Sequence, residues 1–135
     1  MLRHHTLNVV HNMKKLIAII LLLSLNSCYL LKENGIEFTI ENKSDFPIEN
    51  VKFSTSEKLT IMEFDKIKPN QSVADFLSMK NNKHDGSYTL EFTRFNGIKE
   101  SRGFGYYTNG GALDRWVEFE IQNDTITRKF SGTGY

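Results

Sequence analysis

From Ile36 onward the chain alternates. Ile36, Phe38 and Ile40 are separated by Glu37 and Thr39, Tyr88, Leu90 and Phe92 by Thr89 and Glu91, and Val117, Phe119 and Ile121 by Glu118 and Glu120. A strand sends successive side chains to opposite faces, so a period of two builds one apolar and one polar face. Helical spacing, with apolar residues three and four apart, is absent from this stretch. The pattern therefore restricts residues 36–135 to an all-β domain.

Turn chemistry punctuates the alternation. Asn42-Lys43-Ser44-Asp45-Phe46-Pro47 is a turn cluster, and Pro47, lacking an N–H, has no place in a central strand. Lys68 to Ser72, Asn81 to Gly86, Asn109-Gly110-Gly111 and Asn123-Asp124 are further turns. Asn96-Gly97 predicts a tight hairpin with both residues at positive φ. Val51 and Phe53 resume the alternation after Pro47. Ile48 is out of phase with them, which predicts a bulge or a later strand start. Strands are also expected over 59–64, 73–79, 88–93, 98–108, 117–122 and 125–130, with Gly103 and Gly105 bending the sixth. Eight strands spaced by turns roughly every ten residues predict a single small antiparallel β-sandwich, or failing that a small barrel. Immunoglobulin-like and transthyretin-like topologies both suit the spacing. The expected core is Phe38, Ile40, Val51, Phe53, Leu90, Phe92, Val117, Phe119 and Ile121.

The amino-terminal region follows a different rule. Met13-Lys14-Lys15 is a short positive segment, and Leu16 to Leu25 is an apolar run of ten residues. As a helix it would reach about 15 Å, half of a membrane span but the right length for the apolar region of a signal peptide. Leu25-Asn26-Ser27-Cys28 then resembles the lipobox of bacterial lipoproteins, with an apolar residue at −3, a small one at −1 and the cysteine itself. Asn26 departs from the small residue usual at −2, the loosest position of that motif. The resemblance implies that the thiol of Cys28 receives a diacylglycerol, that a peptidase cuts before it, and that the new amino terminus is acylated, palmitate being a typical chain. Cys28 is the only cysteine, so it has no disulfide partner within the chain. Residues 13–27 are thus expected to be a lipoprotein signal peptide and 28–35 a lipidated tether. The alternative is an uncleaved signal anchor. Residues 1–12 add nothing to the pattern and are expected to be a non-native upstream extension. The Asn-, Lys- and Ile-rich style of the rest resembles small Bacteroidetes lipoproteins.

Charge excludes one class of partner. Of 17 basic residues, Arg3, Lys14 and Lys15 precede Cys28, while all 16 acidic residues follow it. The portion after the signal peptide therefore carries 14 basic against 16 acidic residues, a net of −2. Nucleic-acid binding would call for a basic stripe.

No reactive constellation stands out. His84 beside Asp85, with Ser87 nearby, is the only grouping that suggests a dyad, and a hairpin tip would leave it solvated. One histidine in the portion after Cys28 rules out a clustered zinc site, no calcium-loop spacing occurs, and no cofactor is expected. The most unusual local feature is aromatic. Phe104 and Tyr106 are expected on one strand face, Tyr107 on the other, and Trp116 on the strand pairing with theirs. Tyr106, Tyr107 and Trp116 are then candidates for an exposed platform, the competing reading being cross-strand packing. Arg94, Lys99, Arg102 and Arg115 flank this region, interleaved with Glu91, Glu100 and Asp114. Asp124-Thr125-Ile126 resembles the short O-glycosylation motif of Bacteroidetes, making Thr125 a candidate acceptor.

The expectation is a non-catalytic lipoprotein of the cell envelope, held through acyl chains on Cys28 with the outer membrane favoured. Its sandwich would bind a protein or glycan partner. The rival expectations are a periplasmic inhibitor or immunity protein and an accessory subunit of an envelope secretion or transport machine.

Overall fold

A computed structural model describes residues 33–132, together with Lys15. The expectations for residues 1–12, the signal peptide, Cys28 and most of the tether lie outside the described residues.

Nine strands form among the described residues: β1 (Gly35–Asn42), β2 (Ile48–Thr55), β3 (Ile61–Ile67), β4 (Ser72–Ser78), β5 (Gly86–Thr93), β6 (Lys99–Thr108), β7 (Gly111–Ala112), β8 (Trp116–Ile121) and β9 (Ile126–Phe130). They make a sandwich of two sheets, ordered β4-β1-β8-β9 and β3-β2-β5-β6-β7. The second contains β7, two residues that continue the β6 hairpin and are too short to show an alternation.

The strand order decides between the two expected topologies. An immunoglobulin constant sandwich pairs its first two strands in one sheet. Here β1 lies between β4 and β8, and β2 is in the other sheet. The arrangement is the transthyretin-like one. It also corrects the expectation of a purely antiparallel sandwich, because β1 and β8 run parallel, with Phe38 opposite Val117 and Ile40 opposite Phe119. A parallel neighbour is available because β8 is reached only after the chain has laid down the whole second sheet.

The inward faces fill the core. All nine residues expected there are buried, and Ile36, Ile48, Ile67, Leu77, Met79, Tyr88 and Tyr107 join them. Phe53 is central, with Phe38, Phe119 and Tyr88 rings at 4.6, 5.6 and 6.0 Å. Two irregularities adjust which residues turn inward. The β2–β5 register shifts between Glu49 and Lys52, where Asn50 adopts φ 51°, and this bulge brings Ile48 into phase with the core. In β6 the register shifts again, so that Gly105 and Tyr106 together face the single residue Ser87. Gly105 has φ +60°, as a glycine-initiated bulge requires. A Cβ there would lie 2.7 Å from the Phe130 ring and 3.2 Å from Tyr88.

The pairings also sort the loops. Asn42 lies beside Ile121, Glu41 beside Ser72, and Glu49 beside both Lys66 and Thr93. The loops 43–47, 68–71, 94–98 and 122–125 therefore share one end of the sandwich. The opposite end holds Gly35 at the start of β1, where the chain comes in from Glu33. Eight residues of β1 put about 25 Å between the two ends.

Candidate functional site

The end remote from Gly35 is held by hydrogen bonds that begin at Asn42. Its amide donates to the carbonyls of Phe46 (2.8 Å) and Ile67 (2.9 Å), while its oxygen accepts from the backbone N–H of Ser44 (3.0 Å) and from its hydroxyl (2.6 Å). Asp45 and Asn123 pair reciprocally, Asp45 N–H to Asn123 Oδ1 at 2.9 Å and Asn123 Nδ2 to Asp45 Oδ2 at 2.8 Å. These bonds join the β1–β2 loop to the β8–β9 turn and leave Phe46 at the surface.

The β5–β6 hairpin beside it differs from the expected two-residue turn. Gly97 N–H donates to Arg94 O, and Arg94 N–H donates to Ile98 O, closing a three-residue loop. Only Gly97 takes positive φ, at +82°, and the Asn96 carboxamide oxygen accepts from Ile98 N–H at 3.1 Å. A turn followed by a left-handed glycine is the common three-residue hairpin loop. Phe95 consequently sits at the turn apex instead of pairing in a strand.

Phe95 stacks on Phe46, ring centroids 3.8 Å apart and planes 20° from parallel. The two rings are 60% and 45% exposed, and Ile98, three residues after Phe95 at the same end of the sandwich, is 55% exposed. Lys43, Ser44, Asp45, Asn96 and Gly97 surround these apolar side chains, which makes the tip a candidate contact surface. A small cavity of about 90 Å³ adjoins the pair, lined by Phe46, Pro47, Ile48 and Phe95 together with the polar Ser44, Arg94, Asn96 and Asn123.

Arg94 is the charged group of this site, and its side chain is only 10% exposed. Nε is paired with Glu100, Nη1 donates to Gln122 O at 2.7 Å, and the guanidinium lies 5.2 Å from the centre of the Phe92 ring. Its Nη2 is buried without a hydrogen-bond partner. Glu100 also approaches Arg102, at 3.8 Å.

The aromatic platform expected from the sequence does not assemble. Tyr107 is fully buried, its ring 5.7 Å from that of Tyr88 and its hydroxyl donating to Glu57 Oε2 at 3.1 Å. The bulge at Gly105 is the reason, since the extra residue turns Phe104 and Tyr107 inward and leaves Tyr106 outside. Phe104 packs on Phe119 at 5.1 Å. Trp116 is half-buried on β8, which pairs with β1 and β9 and is not in the sheet of β6. Lys129 Nζ approaches its ring to 5.9 Å. Tyr106 is exposed, but its hydroxyl is committed to Asp85 Oδ2 at 2.8 Å.

Asp85 ties down the β6–β7 hairpin. Besides Tyr106, it accepts from Thr108 Oγ1 at 2.9 Å and Asn109 N–H at 2.8 Å. The Asn109 N–H, then the two hydroxyls, hold its carboxyl below the ordinary range. Glu57 nearby is pushed up by burial, but donors from Asn82, the Lys83 backbone and Tyr107 outweigh this and leave it lowered. His84 is exposed, and its carbonyl accepts from Gly110 N–H. Ser87 N–H donates to Ser56 Oγ. Among the described residues, no three His, Cys, Asp or Glu side chains gather as metal ligands would. Thr125, the first residue of the expected last strand, is instead exposed in the β8–β9 turn, one residue before β9 begins.

Phe46 and Phe95 escaped the sequence reading although a signal existed. Each is a large apolar residue inside a turn cluster, immediately before Pro47 or Asn96-Gly97, where the turn chemistry itself asks for polar residues.

No family model and no curated protein matches the chain. An NMR structure of a protein from Eubacterium rectale superposes with a TM-score of 0.50 and 13% identity, covering 73% of this chain and 89% of that one. At that identity the likeness shows the fold alone.

Proposed function

We propose that the protein is a lipid-anchored lipoprotein of the cell envelope whose sandwich holds a non-catalytic binding surface away from the membrane. The observation that carries this reading is the opposition of the two ends. The chain comes into the sandwich at Gly35, seven residues after the lipobox cysteine, while Phe46, Phe95 and Ile98 are exposed together at the far end. Acyl chains on Cys28 supply the anchor, each buried methylene contributing about 0.8 kcal/mol. A rigid strand sandwich sets the height of the tip, about 25 Å from the point where the chain comes in. The partner is a protein or glycan of the envelope. The interleaved charges around Arg102 and Glu100 argue against a polyanion.

The test is site-specific photo-crosslinking in intact cells. A photoreactive residue at position 95 should give a discrete adduct, and the same probe at Glu118, exposed on the β8 surface, should not. Equal labelling from both positions, or none from position 95, would remove the tip from the account.

A further inference from the structure

We infer that Asn96, at the tip of the β5–β6 hairpin, is a self-modification site: the Gly97 backbone nitrogen displaces its amide as ammonia, converting it to aspartate and isoaspartate. The inference does not depend on what the tip binds.

The chemistry needs an asparagine whose side chain can reach the next backbone nitrogen. Gly97 N bonds to Asn96 Cγ, the Cγ–Nδ2 bond breaks, and Nδ2 leaves as ammonia with the proton that Gly97 N gives up. The product is a five-membered cyclic imide. Water then adds to one of its two carbonyls and opens the ring, to aspartate on one side or to isoaspartate, whose main chain runs through Cβ, on the other. The net reaction consumes one water and releases one ammonia, and needs no oxidant or metal. Ring closure is intramolecular, so its rate is set by how freely Cγ can meet the nitrogen.

The chain contains three Asn-Gly pairs, Asn34-Gly35, Asn96-Gly97 and Asn109-Gly110, which the residues alone do not separate. Their surroundings do. The Asn34 amide donates to Met79 O at 3.1 Å and to Gly110 O at 2.8 Å, and its oxygen accepts from Ala112 N–H at 3.1 Å. Gly35 is paired in β1, and a Cβ on it would lie 2.3 Å from Leu77 O. At the third pair, Asn109 N–H donates to Asp85 Oδ1 at 2.8 Å and Gly110 N–H to His84 O at 2.9 Å. Gly110 is buried, and a Cβ there would lie 2.0 Å from Asn82 O. Neither pair has room to bring Cγ onto the next nitrogen while the sandwich is intact.

Asn96-Gly97 is the open pair. Both residues are exposed, and nothing lies within 4 Å of a Cβ built on Gly97. Two surface hydrogen bonds hold them, Gly97 N–H to Arg94 O at 2.9 Å and Ile98 N–H to Asn96 Oδ1 at 3.1 Å. The first can open locally without disturbing the core, as bonds at loop tips do. The second assists the reaction, because an N–H on the amide oxygen stabilises the negative charge that forms there when the nitrogen adds. Either product puts a carboxylate beside Phe95, and the isoaspartyl form also lengthens the main chain of a three-residue loop. The tip therefore gains charge as the protein ages.

The experiment follows the full-length chain, purified in detergent, through incubation in mildly alkaline buffer with and without urea that unfolds it. Mass spectrometry of its peptides reads replacement of NH2 by OH at each asparagine, and enzymatic methylation counts isoaspartate. In urea all three pairs should convert at similar rates. In the folded chain Asn96 should go on converting, with isoaspartate among its products, while Asn34 and Asn109 keep their amides. Asn96→Gln should abolish the tip product, because the longer side chain would have to close a six-membered ring. A folded chain in which Asn96 converts no faster than Asn34 and Asn109, whether all react or none does, would overturn the inference.

Discussion

Tyr107 separates a binding platform from a packed core, and three substitutions measure the difference. Tyr107→Ala removes a fully buried ring that touches Tyr88 and closes the end of the sandwich near Glu57. Large aromatic-to-alanine truncations in cores cost about 3–5 kcal/mol. Tyr107→Phe keeps the ring and removes only the hydroxyl, which donates to Glu57 at 3.1 Å and lies 3.3 Å from Ser56 Oγ. Glu57 is half-buried, so that bond belongs at the lower end of the range for hydrogen bonds to charged groups, about 1.5 kcal/mol. Tyr106→Ala loses an exposed ring and a bond to the exposed Asp85, a cost of about 1 kcal/mol or less. In a domain of this size 1 kcal/mol moves the melting temperature by about 4–8 °C. Thermal denaturation followed by circular dichroism should therefore show Tyr107→Ala more than about 12 °C below wild type, with the other two variants within a few degrees of each other. If Tyr107→Ala melts no lower than Tyr106→Ala, the β6 bulge does not turn Tyr107 inward and the inward set assigned here is wrong.

Gly105→Ala places a Cβ at positive φ and against Phe130, so it should destabilise the fold by at least about 1–3 kcal/mol in urea denaturation; wild-type stability would show that the bulge relaxes without cost. Phe92→Ala should cost about 3–5 kcal/mol by the same assay, since the ring is 2% exposed and carries the Arg94 guanidinium on its face. The lowered carboxyls of Asp85 and Glu57 set the sign of an acid effect. Their folded forms hold protons less tightly than the unfolded chain, so the stabilisation is full above the unfolded values and is lost as pH falls through the folded ones, below about pH 4. Asp85→Asn should flatten that part of the stability curve, and an unchanged acid slope would show that the hairpin clamp is not the group titrating.

The parts of the fold legible in the sequence are those that local alternation encodes. Phe38, Ile40, Leu90, Phe92, Val117, Phe119 and Ile121 all face inward as their period of two requires. Ile67 and Met79 are buried just where strand gives way to turn, so the alternation no longer marks them. Which strands lie side by side is a matter of long-range pairing, and nothing in the residues of β1 and β8 announces a parallel neighbour. One-residue changes of register hide more. The Gly105 bulge exchanges the faces of Tyr106 and Tyr107, and that exchange moved the candidate site. The shift from a two-residue to a three-residue hairpin lifts Phe95 onto the apex. The cavity and the unpaired Nη2 of Arg94 arise from three loops meeting in space, and no single segment contains them.

The account depends most on the address, because a tip directed away from the membrane requires an anchor at the other end. Mass spectrometry of the protein recovered from the native membrane fraction measures this directly. The expected result is a chain beginning at Cys28, with diacylglycerol on its thiol and a further acyl group on its amine. A chain that retains Leu16 to Ser27 and carries an unmodified Cys28 thiol would contradict it.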